Sequence, residues 1–341
     1  MDKNYFFKLL IGFINASIII IFILFFLKNF LVYKGPTKII YIKEGSSNIQ
    51  IAELLEKEKI VPNKDIFYLY TQLKGKTLKA GYYKIETGYS LSDIWRVLSE
   101  GKEIYFKFTI IPGETLLDIG EKLEREGFIK DKNDFYEFVF NEKNVKRYGL
   151  IGSSFEGYFP PETYHLSKSR SKDINYLVKA FLKVFRKKYL VYKEEAEVKL
   201  GKLGLDFYDA MIIASMVEKE TSIPKERPLI AGVIIRRLQK GMLLQIDPTV
   251  IYGLKVKGLW NGKLNRENMQ ILTEYNTYMI KGLPPTPICS FTVDSLKAVI
   301  NYKETPFLYY FSPNGKNHIF SNSYEEHKFK INKYKGSNGK K

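Results

Sequence analysis

The stretch ASMVEKET, Ala214–Thr221, followed by RLQKGMLLQIDPTVIYG, Arg237–Gly253, decides how this chain reads. Ala210, Ile213, Ala214 and Val217 recur at helical spacing, which predicts a helix from Tyr208 to Thr221 with Glu218 and Glu220 in its last turn. Two positions along a helix turn a side chain by about 200°, so the two carboxylates cannot line one cleft together. One is expected to be the reactive acid, the other a structural acceptor or cap. Met211, Ala214 and Ser215 share the Glu218 side, and apolar neighbours raise a carboxyl pKa as a general acid requires. A second helix over Arg227–Leu238, closed by Gly241, precedes Met242–Tyr252. That segment reads as a groove-lining loop in which Gln245, Asp247, Thr249 and Tyr252 are interspersed with apolar residues beside Pro248. Hydrogen-bonding groups near a carboxyl held against apolar walls are what acid–base chemistry on sugars needs.

Two further segments read as walls of such a site. FEGYFPPETY, Phe155–Tyr164, carries two prolines that exclude a helix interior or a central strand. Its aromatics and carboxylates make Glu156 and Tyr158 candidates for sugar contact; the alternative is a packed turn at a domain boundary. YNTYMIKGLPPTPI, Tyr275–Ile288, is stiffened by proline and adds Asn276 and Tyr278. Asp173–Lys199 reads as one long amphipathic helix with a structural role. His318 and His327 fit no zinc spacing, so no metal and no cofactor is expected. The one cysteine, Cys289, excludes a disulfide framework, and its proline-rich apolar setting does not suit a nucleophile.

Upstream, Glu44-Gly45-Ser46-Ser47 through Phe67 matches Pro112-Gly113-Glu114-Thr115 through Phe135 at a constant offset of 68 residues. Each copy predicts a strand, a glycine turn and a hydroxyl-capped helix; Ala80–Ile85 and Asp93–Ser99 predict a further strand and helix. This style resembles LysM-type glycan-binding modules. Leu9–Leu27 is an uncharged run of 19 residues without a cleavage-site pattern, and it reads as an uncleaved membrane anchor. Lysines flank it on both sides, so the charge count does not orient it. The net charge of +17 is spread along the chain and comes with no nucleic-acid motif; a solvated lysine-rich surface, or one facing an anionic wall or membrane, explains it, and no nucleic-acid partner is expected. The fold class expected is α+β: a short cytoplasmic tail (1–8), a transmembrane helix (9–27), a LysM-like repeat region (38–140), a mixed α+β catalytic domain (150–330) and a flexible tail (331–341).

The motifs ASMVEKET, RLQKGMLLQIDPTVIYG and YNTYMIKGLPPTPI, with weaker support from EGYFPPETY and Asp294–Ala298, resemble the endolytic murein (peptidoglycan) transglycosylases, the MltG or YceG-like family. The resemblance implies a cell-membrane enzyme, single-pass, with its N-terminus cytoplasmic and its catalytic domain facing the wall. It would cleave the MurNAc–GlcNAc β-1,4 bond of nascent glycan strands, leave 1,6-anhydro-MurNAc ends, and meet cell-wall synthases. The first glutamate of VEKET, Glu218, would carry the chemistry, donating a proton and then taking the C6 hydroxyl proton. Glu156, Tyr158, Glu220, Gln245, Asp247, Thr249, Tyr252, Asn276 and Tyr278 would contact the glycan. Cys289-Ser290-Phe291 departs from the family's Asn-Pro-Gly-like turn. The competing readings are a hydrolytic muramidase and a non-catalytic glycan-binding scaffold.

Overall fold

A buried helix, α9 (Phe207–Glu220), organises the larger part of the molecule. Asp206 caps it in a reciprocal box with Asp209, and every residue from Ala210 to Val217 is buried. A helix apolar all round belongs inside a core. Burying each of its large side chains stabilises the fold by about 1.5–3 kcal/mol. It ends at Thr221, whose extended backbone (φ −146°) breaks the helical run.

The computed structural model describes residues 11–23, 32–315 and 317–338. Residues 11–23 are helical. The short tail and the two ends of the predicted membrane span lie outside the described residues, and among those described no helix is long and apolar enough to cross a membrane. The chain divides into two units: the described residues up to Phe106 with Ser167–Lys172, and Lys107–Leu166 with the chain from Asp173 onward.

The first unit runs β1 (Lys38–Ile42), α1 (Asn48–Lys57), α2 (Lys64–Lys74), β2 (Gly81–Ile85) and α3 (Leu91–Glu100). β1 and β2 pair antiparallel, with Ile40 opposite Tyr83, over a core that includes Leu55, Phe67, Tyr83 and Leu98. The second copy of the repeat, β3 (Phe106–Ile110), α4 (Leu116–Arg125) and α5 (Lys132–Val139), falls almost wholly in the other unit. After α6 (Glu142–Arg147), β4 (Glu162–Leu166) pairs with β3. The copies match beyond their strands and helices. Ser47 with Gln50, and Thr115 with Asp118, form capping boxes. The Lys64 amide donates to Glu56 at 2.9 Å and the Lys132 amide to Glu124 at 3.0 Å. Lys64 pairs with Glu53 at 3.1 Å and Lys132 with Glu121 at 3.2 Å.

The rest of the second unit is mostly helical: α7 (Ile174–Lys188), α8 (Lys193–Leu200), α9, α10 (Arg227–Gln239), α11 (Asp247–Val256), α12 (Val293–Ile300), the hairpin β5 (Tyr309–Phe311) and β6 (Ile319–Ser321), and α13 (Tyr324–Asn338). α9 packs against α8, α10, α11 and α12. Among the described residues, three two-stranded sheets beside many helices make the class α+β. The single helix expected over Asp173–Lys199 is broken into α7 and α8. Tyr189 closes α7, its amide still donating to the Phe185 carbonyl at 2.8 Å and its hydroxyl to the Phe291 carbonyl at 2.7 Å, and Leu190–Tyr192 form a 3-10 turn before α8 begins. The loop expected over Met242–Tyr252 is half helix: Pro248 sits in the first turn of α11, where a missing N–H costs nothing. α13 continues through residues whose composition suggested fraying.

FEGYFPPETY is packed rather than exposed. Glu156 is fully buried; its Oε2 accepts the Leu116 amide at 3.0 Å. Its Oε1 lies beside the Tyr252 hydroxyl, and neither atom reaches a partner at hydrogen-bonding distance among the described residues. Burial pushes the Glu156 carboxyl from 4.5 up to about 8. A carboxyl raised in this way keeps a proton that the unfolded chain has already lost. Between those two values the folded state therefore binds more protons, and stability falls as pH rises. Glu156→Gln keeps the shape without the ionisation. It should melt about 3 °C or more above the parent chain at pH 8.5 and near it at pH 5; thermal unfolding curves that fall in parallel with pH would refute this.

Candidate functional site

The end of α9 sends its two carboxylates to different places. Glu218 turns toward the N-terminus of α12. Its Oε2 accepts from the Thr292 amide (2.8 Å), the Thr292 hydroxyl (2.6 Å) and the Ser295 hydroxyl (2.6 Å), and its Oε1 pairs with Arg227 at 3.4 Å. Both side chains of that pair are largely buried. A carboxyl group accepting this many bonds beside a guanidinium is held in one orientation.

Glu220 turns the other way, into a cavity of about 450 Å³ lined by Lys219, Glu220, Arg237, Leu244, Gln245, Asp247, Tyr278 and the hairpin residues Tyr310, Phe311, Ser312, Gly315 and His318. That volume is in the range of sites for small ligands. Burial first, and the charge of Asp247 second, push the Glu220 carboxyl from 4.5 up to about 7, against the opposing hydrogen bond with Tyr310. The group therefore carries a proton for much of the time at neutral pH, as a general acid must. Asp247 accepts from the Tyr278 hydroxyl at 2.5 Å.

The walls are fixed by buried polar contacts. Gln245 adopts φ +54°, a conformation that side-chain-bearing residues avoid and that is retained where the surroundings force it. The Gln245 amide donates to the Thr277 carbonyl (3.1 Å), and the Ile246 amide to the Thr277 hydroxyl (2.9 Å). Arg237 donates to the carbonyls of Leu308 (2.6 Å), Leu243 (3.1 Å) and Leu244 (2.7 Å) and to Gln245 Oε1 (3.2 Å), joining α10 to the hairpin and to this turn. Opposite, Glu226 accepts from the His318 amide at 2.9 Å, lies 2.8 Å from His318 Nδ1, and accepts from the Thr221 hydroxyl at 3.0 Å. Burial alone would raise the Glu226 carboxyl, but these bonds outweigh it and hold it below its ordinary value.

Of the residues singled out in the sequence, Glu220, Gln245, Asp247 and Tyr278 line this cavity. Glu218 does not; it is bound to α12. Thr249 is fully buried between the Ile246 carbonyl and the Thr277 hydroxyl. Tyr252 is buried against Tyr275 and Glu156. Asn276 is buried and ties its own loop to the carbonyls of Met269 and Ile271. Tyr158 bonds Ile151 through its hydroxyl and packs on Phe185 and Tyr208. Cys289 is buried with its thiol on the Ser215 carbonyl, and burial pushes that thiol up. The sequence reading gave no site role to Arg237, Tyr310, Glu226 or His318. The GKNHIF segment and the glutamate after Thr221 were visible, but their meeting needs the hairpin to fold back some ninety residues onto the end of α9.

The family model described as the YceG-like family matches residues 40–333. An endolytic murein transglycosylase of Bacillus subtilis is 30% identical over 323 residues, covering 89% of this chain and 86% of that one. An endolytic murein transglycosylase of Streptococcus pneumoniae is 29% identical over 325 residues, covering 84% of this chain but 56% of the longer streptococcal protein. The crystal structure of a YceG-like protein of Listeria monocytogenes superposes with a TM-score of 0.57 at 28% identity, covering 86% of this chain and 98% of that one. The matched span, the relatives and the shared fold place the chain in one group: it belongs to the YceG-like family.

Proposed function

We propose that this chain is an endolytic lytic transglycosylase of peptidoglycan with Glu220, rather than Glu218, as its acid. The observation that carries the reading is the Glu220 carboxyl, raised to about 7 inside a cavity walled by Asp247, Tyr278 and Tyr310. The murein-cleaving activity named for the relatives supplies the substrate class. Glu220 donates its proton to the glycosidic oxygen between MurNAc and GlcNAc, and positive charge develops at C1 as that bond breaks. Asp247, oriented by Tyr278, supplies nearby negative charge. The C6 hydroxyl of the same sugar closes on C1, giving a 1,6-anhydro end without water. Glu218 acts at a distance from the sugar, by fixing the helix that aims Glu220.

The run Leu9–Leu27 supports a membrane anchor that would hold the cavity near newly made strands. The two βαα units, each with its flanking strands paired, support a LysM-like role in holding glycan.

Mass spectrometry of fragments released from uncrosslinked peptidoglycan tests the reaction. The expected products are one water, about 18 Da, lighter than hydrolytic ones. Products at the hydrolytic mass would make the chain a muramidase, and bound but uncut glycan would make it a scaffold. Asp247→Asn tests the electrostatics. Removing that charge lowers the pKa of Glu220, so the basic-side limb of the pH–rate profile should move to lower pH. An unmoved limb would exclude Glu220 as the group whose proton is needed. Chains beginning at Tyr33 should leave the membrane fraction, whereas the full chain should stay in it; equal partitioning would remove the anchor.

A further inference from the structure

We propose that His318, oriented by Glu226, is the base that takes the C6 hydroxyl proton as the anhydro ring closes, an inference that rests on the transglycosylase reading above. Glu226 grips His318 at two points, its backbone N–H at 2.9 Å and its ring Nδ1 at 2.8 Å. An imidazole nitrogen this close to a carboxylate carries the hydrogen, which leaves Nε2 on the far side of the ring as the acceptor. The same carboxylate is anchored by the Thr221 hydroxyl at 3.0 Å, and Thr221 directly follows Glu220. Acid and base are therefore registered to one another through a single helix end. The His318 ring lines the same cavity as Glu220. Between the two stands Tyr310, whose ring meets His318 edge-on at 5.4 Å and whose hydroxyl bonds Glu220.

The charged and titratable groups around His318 are Glu226 on one side, Tyr310 on another, and across the cavity Lys219, Glu220, Arg237, Asp247 and Tyr278.

The step balances without a co-reactant. The C1–O4 bond breaks with its electron pair on O4, which takes the Glu220 proton. An O6 lone pair forms the C1–O6 bond, and the O6 proton passes to His318 Nε2. The enzyme ends with Glu220 ionised and His318 protonated; exchange with solvent resets both. A single carboxylate would have to finish donating before it could accept, whereas two groups act in one transition state.

The test uses the full chain on uncrosslinked peptidoglycan, reading anhydro product against pH for the parent, His318→Gln and Glu226→Gln. His318→Gln should lower kcat by about 100-fold or more with KM within about twofold. Glu226→Gln keeps the shape and removes the charge, so the acid-side limb of kcat/KM should move to lower pH. A role confined to holding the hairpin would reduce activity without moving that limb. His318→Gln with parental kcat, or Glu226→Gln with an unmoved limb, overturns the assignment and leaves Glu220 to perform both transfers. Absence of anhydro product from the parent chain overturns the transglycosylase reading itself, and this assignment with it.

Discussion

The hold of α12 on Glu218 is the interaction on which the site depends. A helix N-terminus presents unsatisfied N–H groups and a positive dipole end, and a carboxylate supplies what both need. Here Glu218 accepts three hydrogen bonds from Thr292 and Ser295 and pairs with Arg227. These contacts set the rotation of the last turn of α9 about its axis. Because Glu220 is two residues on, fixing Glu218 against α12 sends Glu220 into the cavity on the other side. The same helix is apolar along its length, so it has no freedom to roll.

The cavity is assembled from segments distant in sequence, each stabilised by buried polar contacts. Thr277 pins the strained turn at Gln245 from one side while Arg237 reaches it from the other. Arg237 also reaches the Leu308 carbonyl and lies over the Tyr309 ring at 5.0 Å, so one buried guanidinium couples α10, the Gln245 turn and the hairpin. The hairpin then brings Tyr310 and His318 to the end of α9. The resulting charge pattern has a purpose in the proposed chemistry. The Asp247 charge raises the affinity of Glu220 for its proton, and Glu226 holds the His318 ring in one orientation. Proposed donor and acceptor are thus each served by a different carboxylate.

Much of this was legible in the sequence, for identifiable reasons. The heptad-like spacing of Ala210, Ile213, Ala214 and Val217 marks α9 because a buried helix must repeat its apolar residues at that period. The duplicated turn-and-cap pattern marks the repeat because glycine turns and hydroxyl caps are set by local backbone chemistry; Gly45 and Gly113 do take positive φ. The opposite facing of Glu218 and Glu220 follows from helix geometry alone. Which of them meets the cavity does not, because that depends on where α12 docks, some seventy residues later. Glu156 and Tyr158 have the composition of a sugar-facing wall, yet tertiary packing buries them against α4, Tyr252 and Tyr208. Thr249 and Tyr252 read as loop residues because Pro248 suggested a turn, whereas it starts a helix whose inner face they occupy.

The measurement that separates the two glutamates most directly is a side-by-side comparison of Glu218→Gln and Glu220→Gln, each followed by thermal unfolding and by release of glycan fragments below its melting temperature. Glu220→Gln, which removes a carboxyl that burial holds above its ordinary pKa, is expected to unfold no lower than the parent chain and to release nothing. Glu218→Gln, which leaves the Arg227 guanidinium without its opposite charge at a cost of about 3 kcal/mol, is expected to melt several degrees lower while its folded fraction still cuts. A Glu218→Gln chain that is fully stable and inactive, beside a Glu220→Gln chain that still cuts, would contradict the assignment of the acid to Glu220.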